Sequence, residues 1–193
     1  MPASMMSQRA KASERGLSLI ELMIALTVLT VGLAALLGLL MTGIATNTRN
    51  KLDTGGTLAA QAILETVGGQ PAGTDVAMAD CAGNTFTVKT AGQGIGVTTG
   101  AQLMSDGSGR INFSAETNSA VTAGYKALYV GCGPAGRQVT YDVRWNIKTI
   151  DAYSKLVTVA AMQTGAVQGL TTNTQLRYFN PPVNLRTIVA TGN

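Results

Sequence analysis

The sequence is poor in the residues that most enzymes need. It contains no histidine and only two cysteines, and aromatic and charged residues make up 5% and 12% of the chain. Without histidine no Ser-His or Cys-His dyad can form, and two cysteines alone do not complete a zinc site. No pair of carboxylates stands out among the scattered acidic residues. We therefore expect no enzymatic activity, no metal site and no cofactor.

Positive charge is also scarce outside the N-terminus. The formal net charge is +4, and half of it lies in the first sixteen residues. No cluster of Lys and Arg follows Lys51 and the aromatic residues are scattered, so nucleic acid is not an expected partner.

The glycine-rich stretch 91–100 lacks the spacing of a phosphate-binding loop. The stretch 105–110 has one acidic residue where a calcium loop needs several oxygen ligands, and we interpret it as a turn.

One long apolar run stands out against this background. The 24 residues from Leu22 to Ala45 carry no charge, and as a helix they would extend roughly 36 Å, enough to cross a hydrocarbon core of about 30 Å. Basic residues precede the run, which favours a cytoplasmic N-terminus and a body on the other side. A signal peptide would have small residues such as Gly43 and Ala45 at its cleavage site, but its apolar core is normally only about 7–15 residues long. A plain membrane anchor fits the length and leaves Glu21 unexplained at the start of the run.

The residues around Glu21 supply a third interpretation. The stretch Arg15–Glu21, RGLSLIE, has a basic segment before it and the apolar run after it, and it resembles the N-terminus of type IV prepilins. In that family a short basic leader ends in Gly, and the mature chain starts with an apolar residue followed by Thr/Ser-Leu-Ile-Glu. Gly16 matches the end of the leader, and Leu17 matches the first mature residue, where the family most often has Phe.

The resemblance implies how the chain is processed and where it resides. A prepilin peptidase would cut between Gly16 and Leu17 and would N-methylate Leu17, with S-adenosylmethionine bound by that enzyme. The chain would be a single-pass inner-membrane protein, with a cytoplasmic N-terminus and a periplasmic body, until it enters a pilus or pseudopilus. Its partners would be the peptidase and other pilin or pseudopilin subunits, contacted through the N-terminal helix. Glu21 would serve processing and assembly, because the terminal ammonium of Leu17, in a neighbouring subunit or its own, would neutralise it.

The resemblance also indicates a kind of subunit. The apolar run has no proline, whereas many major pilins carry one early in this helix. The stretches 31–39 and 49–67 are similar to PilV-type minor pilins and to I-type pseudopilins. We expect a structural minor subunit of a type IV pilus or of a type II secretion pseudopilus. The alternatives are a binding module for DNA or a surface at a pilus tip, and a plain membrane-anchored periplasmic protein.

Four segments follow from these patterns. Residues 1–16 would be the leader, 17–45 the transmembrane and assembly helix, 46–70 an amphipathic continuation of that helix, and 71–193 a β-rich extracytoplasmic domain. The continuation is predicted from an apolar stripe at helical spacing, formed by Leu52, Gly56, Ala59, Ile63 and Val67.

Two pairs of glycines lie in this continuation. The pair Gly55-Gly56 either softens the helix or lets a strand pack closely against it. The pair Gly68-Gly69, followed by Pro71, is expected to end the helix.

The body is predicted to contain an antiparallel sheet. Apolar and polar residues alternate over 138–148, which predicts a strand with one buried and one solvated face. The stretch 155–162 should pair with it as a hairpin. Shorter strands are predicted at 85–89, 127–131, 176–179 and 184–190, the last two at an edge, with loops at 71–85 and 91–110.

One long helix followed by strands predicts an α+β fold, with the helix packed on an antiparallel sheet. The type IV pilin fold that the resemblance implies has this arrangement. In an exported body Cys81 and Cys132 can form a disulfide, and in the cytoplasm they would stay free. Since the resemblance places the body outside the cytoplasm, we expect the disulfide, with two unpaired buried thiols as the alternative.

Overall fold

The computed structural model of the chain describes residues 18–71, 73–114, 121–133, 136–164 and 181–190. The chain divides into two compact units, Met1–Thr46 and Asn47–Asn193, and one helix contributes to both. The elements in chain order are α1 (Leu19–Gly69), β1 (Asp75–Ala79), β2 (Thr85–Lys89), β3 (Thr98–Gly100), β4 (Lys126–Cys132), β5 (Gln138–Thr149), β6 (Ser154–Thr164) and β7 (Val183–Ala190).

The predicted long N-terminal helix is confirmed. From residue 52 onward α1 buries one stripe with half-buried residues beside it, because apolar residues recur every three or four positions. The helix ends at Gly69, shortly before Pro71, where the chain can no longer continue the helical hydrogen bonds. The buried residues of α1 are Gly56, Ala59, Ala60, Ile63 and Val67.

The strands form two antiparallel sheets. A small sheet pairs β1 with β2, and a five-stranded sheet has the order β3-β5-β6-β7 with β4 also on β5. Two strands share one edge of β5, since β4 pairs with residues 138–144 and β3 with residues 146–148. β6 pairs along the other edge in the predicted hairpin, with Trp145 opposite Val159. β7 then pairs with β6 and is the last strand of this order, as predicted for 184–190.

The main core lies between the five-stranded sheet and α1. Inward-facing residues of β5 and β6, such as Trp145 and Val159, pack with Ala59 and Ile63 of the helix. This packing removes the apolar stripe of α1 and the apolar face of the sheet from water, which is the main stabilising contribution to such an α+β fold.

Two of the predicted loops contain strands. β1 lies inside 71–85 and β3 inside 91–110, so the loop predictions are wrong at these positions. Small and acidic residues are typical of loops, but pairing with β2 and with the end of β5 supplies the hydrogen bonds that stabilise these strands. The strand predicted at 176–179 lies outside the described residues.

The predicted solvated face of β5 is wrong in its central part. Asp142, Arg144 and Asn146 are each only 4% exposed. Residues 101–113, which we call the covering segment, pass over this face, and Ala101, Ile111 and Phe113 pack there with Ala160 of β6 in a second hydrophobic cluster. Polar side chains can be buried when they are hydrogen-bonded, so the alternation alone does not reveal what covers a polar face.

Candidate functional site

The first part of α1 is apolar on every side. Every large apolar side chain from Leu19 to Ile44 is at least half exposed. Within the described residues α1 is the one helix that is long and apolar enough to cross a membrane, with a mean hydropathy of 2.5 over its most apolar window. A helix that is apolar on all sides is stable only in an apolar environment, which lipid or neighbouring helices of the same kind can supply.

The hydroxyl groups in this segment are hydrogen-bonded within the helix. Thr27 and Thr30 each donate from Oγ1 to the carbonyl oxygen three residues earlier, at 2.8 and 2.9 Å. Thr42 and Thr46 donate to the carbonyl oxygens of Leu39 and Thr42, both at 2.9 Å. These four hydroxyls therefore need no water, which makes the segment compatible with lipid.

Glu21 is the acidic residue in the first turn of α1. Leu22 makes an early hydrogen bond of this turn, donating from its N–H to the carbonyl oxygen of Ser18 at 3.1 Å. The positive end of the helix dipole favours a carboxylate here by about 0.3–1 kcal/mol. An acid at the centre of a membrane helix costs about 2.5–3.5 kcal/mol, so the helix end alone does not offset a deeply placed Glu21.

The predicted cleavage and methylation residues, Gly16 and Leu17, lie outside the described residues. Their roles, and the pairing of Glu21 with the terminal ammonium, stay predictions. The described residues begin with Ser18, which directly precedes α1.

In the globular unit Cys81 and Cys132 form a disulfide, as expected for an exported domain. The bond links the turn between β1 and β2 to the last residue of β4. The small sheet is thereby tied covalently to the five-stranded one.

Asp80 holds the same turn by hydrogen bonds. Its carboxylate accepts from the backbone N–H groups of Ala82, Asn84 and Val130 at 3.0, 2.9 and 3.1 Å, and from the Asn84 side chain at 2.9 Å. Desolvation raises the pKa of Asp80, but the hydrogen bonds from Asn84, Val130 and Ala82 together outweigh it and hold the pKa below its ordinary value. The bond to Val130 connects this turn to β4, beside the disulfide.

Tyr141 of β5 lies directly against the glycine pair of α1. Its hydroxyl donates to the carbonyl oxygen of Leu52 at 3.2 Å. A Cβ atom at Gly55 would collide with the phenol oxygen, whereas one at Gly56 would meet the ring at an ordinary 3.5 Å. Burial, together with the negative charge of Asp53, raises the pKa of Tyr141. The geometry therefore favours close packing, rather than softening, as the role of Gly55.

A buried ion pair lies beneath the covering segment. Arg144 donates from Nη2 and Nε to Oδ2 of Asp142 at 2.8 and 3.1 Å. It also donates from Nη1 to the carbonyl oxygen of Asn112 at 3.3 Å, and its guanidinium lies 4.8 Å from the ring centre of Phe113. Lys126 of β4 approaches Asp142 at 3.5 Å. These contacts attach the covering segment to the sheet.

Sequence reasoning missed the roles of Asp80, Asp142 and Arg144. The stretch 80–84 has an acidic residue with Gly three positions later, which is typical of a side-chain-capped turn. Opposite charges two positions apart on one strand, as in Asp142 and Arg144, lie on the same face and can pair. Both signals were present, but neither identifies the distant backbone groups that these side chains also bind.

Comparison with known proteins identifies the N-terminal segment. The chain matches the family model described as the prokaryotic N-terminal methylation motif over residues 11–37. Searches of curated proteins and of solved structures found no significant match. The motif, together with a long helix that begins within it and packs on antiparallel strands, defines the class of the chain as type IV prepilin-like with the type IV pilin fold. The motif further supports a pilin or pseudopilin subunit that is a substrate of prepilin peptidase.

Proposed function

We propose that this chain is a minor subunit of a type IV pilus or of a type II secretion pseudopilus. The observation that carries the proposal is the apolar first part of α1, which begins within the methylation motif and is exposed on all sides. Such a helix is stable in the inner membrane, and on leaving it the helix needs neighbouring helices of the same kind. The lack of proline between Leu22 and Ala45 supports a minor subunit rather than a major one.

The processing follows from the same segment. Prepilin peptidase removes residues 1–16 by cutting between Gly16 and Leu17, and it methylates the new terminus. Residues 17–45 then serve as the membrane and assembly helix, 46–70 continue it into the domain, and 71–193 form the periplasmic β-rich part. The basic residues before the apolar run support an N-terminus on the cytoplasmic side.

Glu21 is assigned a role in subunit pairing. A carboxylate in a low-dielectric environment is tolerated when a cation neutralises it and is costly when alone. The terminal ammonium of Leu17 in a neighbouring subunit is such a cation. Axial slippage of one helix along another would leave both charges unpaired, so the pair also fixes the register of assembly.

Intact mass of the chain purified from its native membrane tests the processing. We expect a chain that starts at Leu17 and carries one additional methyl group. A bulky residue in place of Gly16, as in Gly16→Trp, should leave the leader attached. Recovery of a chain that keeps residues 1–16, or that starts beyond Ala45, would contradict the proposal.

Glu21→Ala tests the assembly role. The variant should insert into the membrane normally, while its recovery in the filament fraction falls about tenfold, which corresponds to a loss of about 1.4 kcal/mol. Glu65→Ala is the matched control, because Glu65 is an exposed acid on the domain part of the same helix. If the two variants enter filaments equally well, the assignment of Glu21 is wrong.

A further inference from the structure

Lys155 is a buried lysine without a hydrogen-bond partner in the part of the chain that the structure describes. It is the second residue of β6 and is only 1% exposed. Among the described residues its Nζ atom has no hydrogen-bond acceptor. Buried polar atoms in folded proteins are nearly always hydrogen-bonded, and a buried ammonium without a counter-charge is especially unfavourable.

The position of Lys155 is at the junction between the sheet and the end of α1. Its cross-strand neighbours are Thr149 of β5 and Val189 of β7. Val189 packs against Gly68, near the end of α1, since a Cβ atom at Gly68 would lie 3.2 Å from Val189 Cγ1. Strand alternation places Lys155 on the same face as Val157 and Val159, which belong to the main core.

Among residues 18–71, 73–114, 121–133, 136–164 and 181–190, the charged groups on the surrounding elements do not compensate Lys155. On β5 and β7 the nearest charges, Lys148 and Arg186, are exposed on the opposite face of the sheet. Burial lowers the pKa of Lys155 below its ordinary value, and no charged neighbour contributes to the shift. Other elements near this end of the domain also carry charged residues. Three of them are exposed acids, Glu65 of α1, Asp75 of β1 and Asp151 of the β5–β6 turn. The fourth, Lys89 of β2, is half-buried.

We propose that the burial of Lys155 disfavours its protonated form in the folded domain, and that protonation weakens the junction of α1 with β6 and β7. Protonation places an unpaired ammonium in the core beside Val189. The domain then favours conformations in which the last turn of α1 separates from the sheet and water reaches Nζ. The inference concerns the globular domain alone, so it holds whether the filament is a pilus or a pseudopilus.

One electrostatic effect opposes this proposal. The C-terminal end of a helix carries partial negative charge, which favours a nearby ammonium. That effect falls off within the last helical turn, and desolvation of a fully buried lysine is the larger influence on its protonation. The two effects predict opposite shifts of the titration of Lys155, so an experiment can decide between them.

The titration of Lys155 tests the proposal directly. The full chain, labelled with ¹³C at lysine Cε, is dissolved in detergent micelles and titrated by NMR in its folded state and again in urea. The Lys155 resonance is assigned from its loss in Lys155→Met. We expect it to titrate at lower pH in the folded chain than in the unfolded chain. A folded-state midpoint equal to or above the unfolded one would overturn the proposal.

The pH dependence of stability gives a second readout. Because the folded chain binds this proton less tightly, the stability is complete above the ordinary pKa of 10.5 and is lost as the pH falls toward the folded-state pKa. The urea midpoint of the wild-type chain should therefore fall on acidification more than that of Lys155→Met. Lys148→Met is the control, because it removes an exposed lysine from the adjacent strand and should keep the wild-type profile.

Hydrogen exchange locates the opening. In the wild-type chain, exchange corrected for its intrinsic rate should increase on acidification in peptides covering 64–71 and 154–157, and this increase should be absent in Lys155→Met. Equal behaviour of the two chains would contradict the proposed junction. If Lys155→Met does not fold, single substitutions of the other five lysines assign the Lys155 resonance by elimination, and the NMR titration of the wild-type chain still decides the question.

Discussion

The contact between Gly55 and Tyr141 predicts the effect of adding one methyl group to α1. In an exposed helix, Gly→Ala would stabilise by about 1 kcal/mol. At Gly55 the new Cβ collides with the phenol oxygen and lies 3.0 Å from Cζ of Tyr141. Overpacking of this kind costs about 1–3 kcal/mol, and displacement of Tyr141 also loses the hydrogen bond to Leu52, about 1 kcal/mol. Gly55→Ala should therefore destabilise the domain by about 1–3 kcal/mol.

Trp145 provides the assay. It is the single tryptophan of the chain and is fully buried in the main core, so its fluorescence reports unfolding of the globular domain. Urea unfolding of the full chain in detergent micelles gives the free energy from the midpoint and slope. Gly69→Ala is the matched control, because no atom lies within 4 Å of the added Cβ, and it should be neutral or stabilising by up to about 1 kcal/mol.

A second substitution separates the collision from a general effect on the helix. Tyr141→Phe alone should cost about 1 kcal/mol through the lost hydrogen bond. Combined with Gly55→Ala, it removes the oxygen that collides, so the double variant should be more stable than the sum of the single effects by about 1 kcal/mol. The reasoning is refuted if Gly55→Ala is as stable as Gly69→Ala, or if the two effects are additive.

Two further predictions use the same assay. Arg144→Met leaves the buried carboxylate of Asp142 with Lys126, at 3.5 Å, as its one ion-pair partner among the described residues. It should cost about 3–5 kcal/mol, with part of the loss recovered when Asp142→Leu is added. A loss below about 1 kcal/mol for Arg144→Met would contradict the role of the ion pair. The double substitution Cys81→Ala, Cys132→Ala removes the disulfide and opens a loop with a sequence separation of 51. It should cost about 4 kcal/mol. An unchanged urea midpoint would show that the bond does not constrain the unfolded chain.

The sequence predicted those elements whose periodicity is set within one segment. The apolar run and the apolar stripe after it predicted the helix, and the alternation over 138–148, with the stretch 155–162 after a short loop, predicted the hairpin. β1 and β3 were missed because their hydrogen bonds come from β2 and β5, and a loop-like composition conceals that pairing. At the N-terminus, Glu21 was recognised from its place in a fixed motif, whereas the surroundings of Lys155 depend on strands and a helix that are distant in sequence.

The burial of the polar face of β5 is the main disagreement between the alternation pattern and the structure. A polar residue at every second position predicts a solvated face when nothing else is known. Here Asn146 donates from Nδ2 to the carbonyl oxygen of Ala101 at 2.8 Å, and Arg144 binds the covering segment at Asn112. The polar groups thus serve as attachment points. The groups that accept these two hydrogen bonds are backbone carbonyls, which carry no side-chain identity that a sequence pattern could reveal.

The covering segment also determines what an approaching molecule meets on this side of the domain. Between its anchors at Ala101 and Ile111, the residues from 104 to 108 are exposed, and substitutions on a surface of this kind usually change stability by less than about 0.5 kcal/mol. Substitutions at these positions can therefore change the outer surface of the domain without any change in the β-strands beneath. The β-strands and the exposed residues of the covering segment can evolve at different rates.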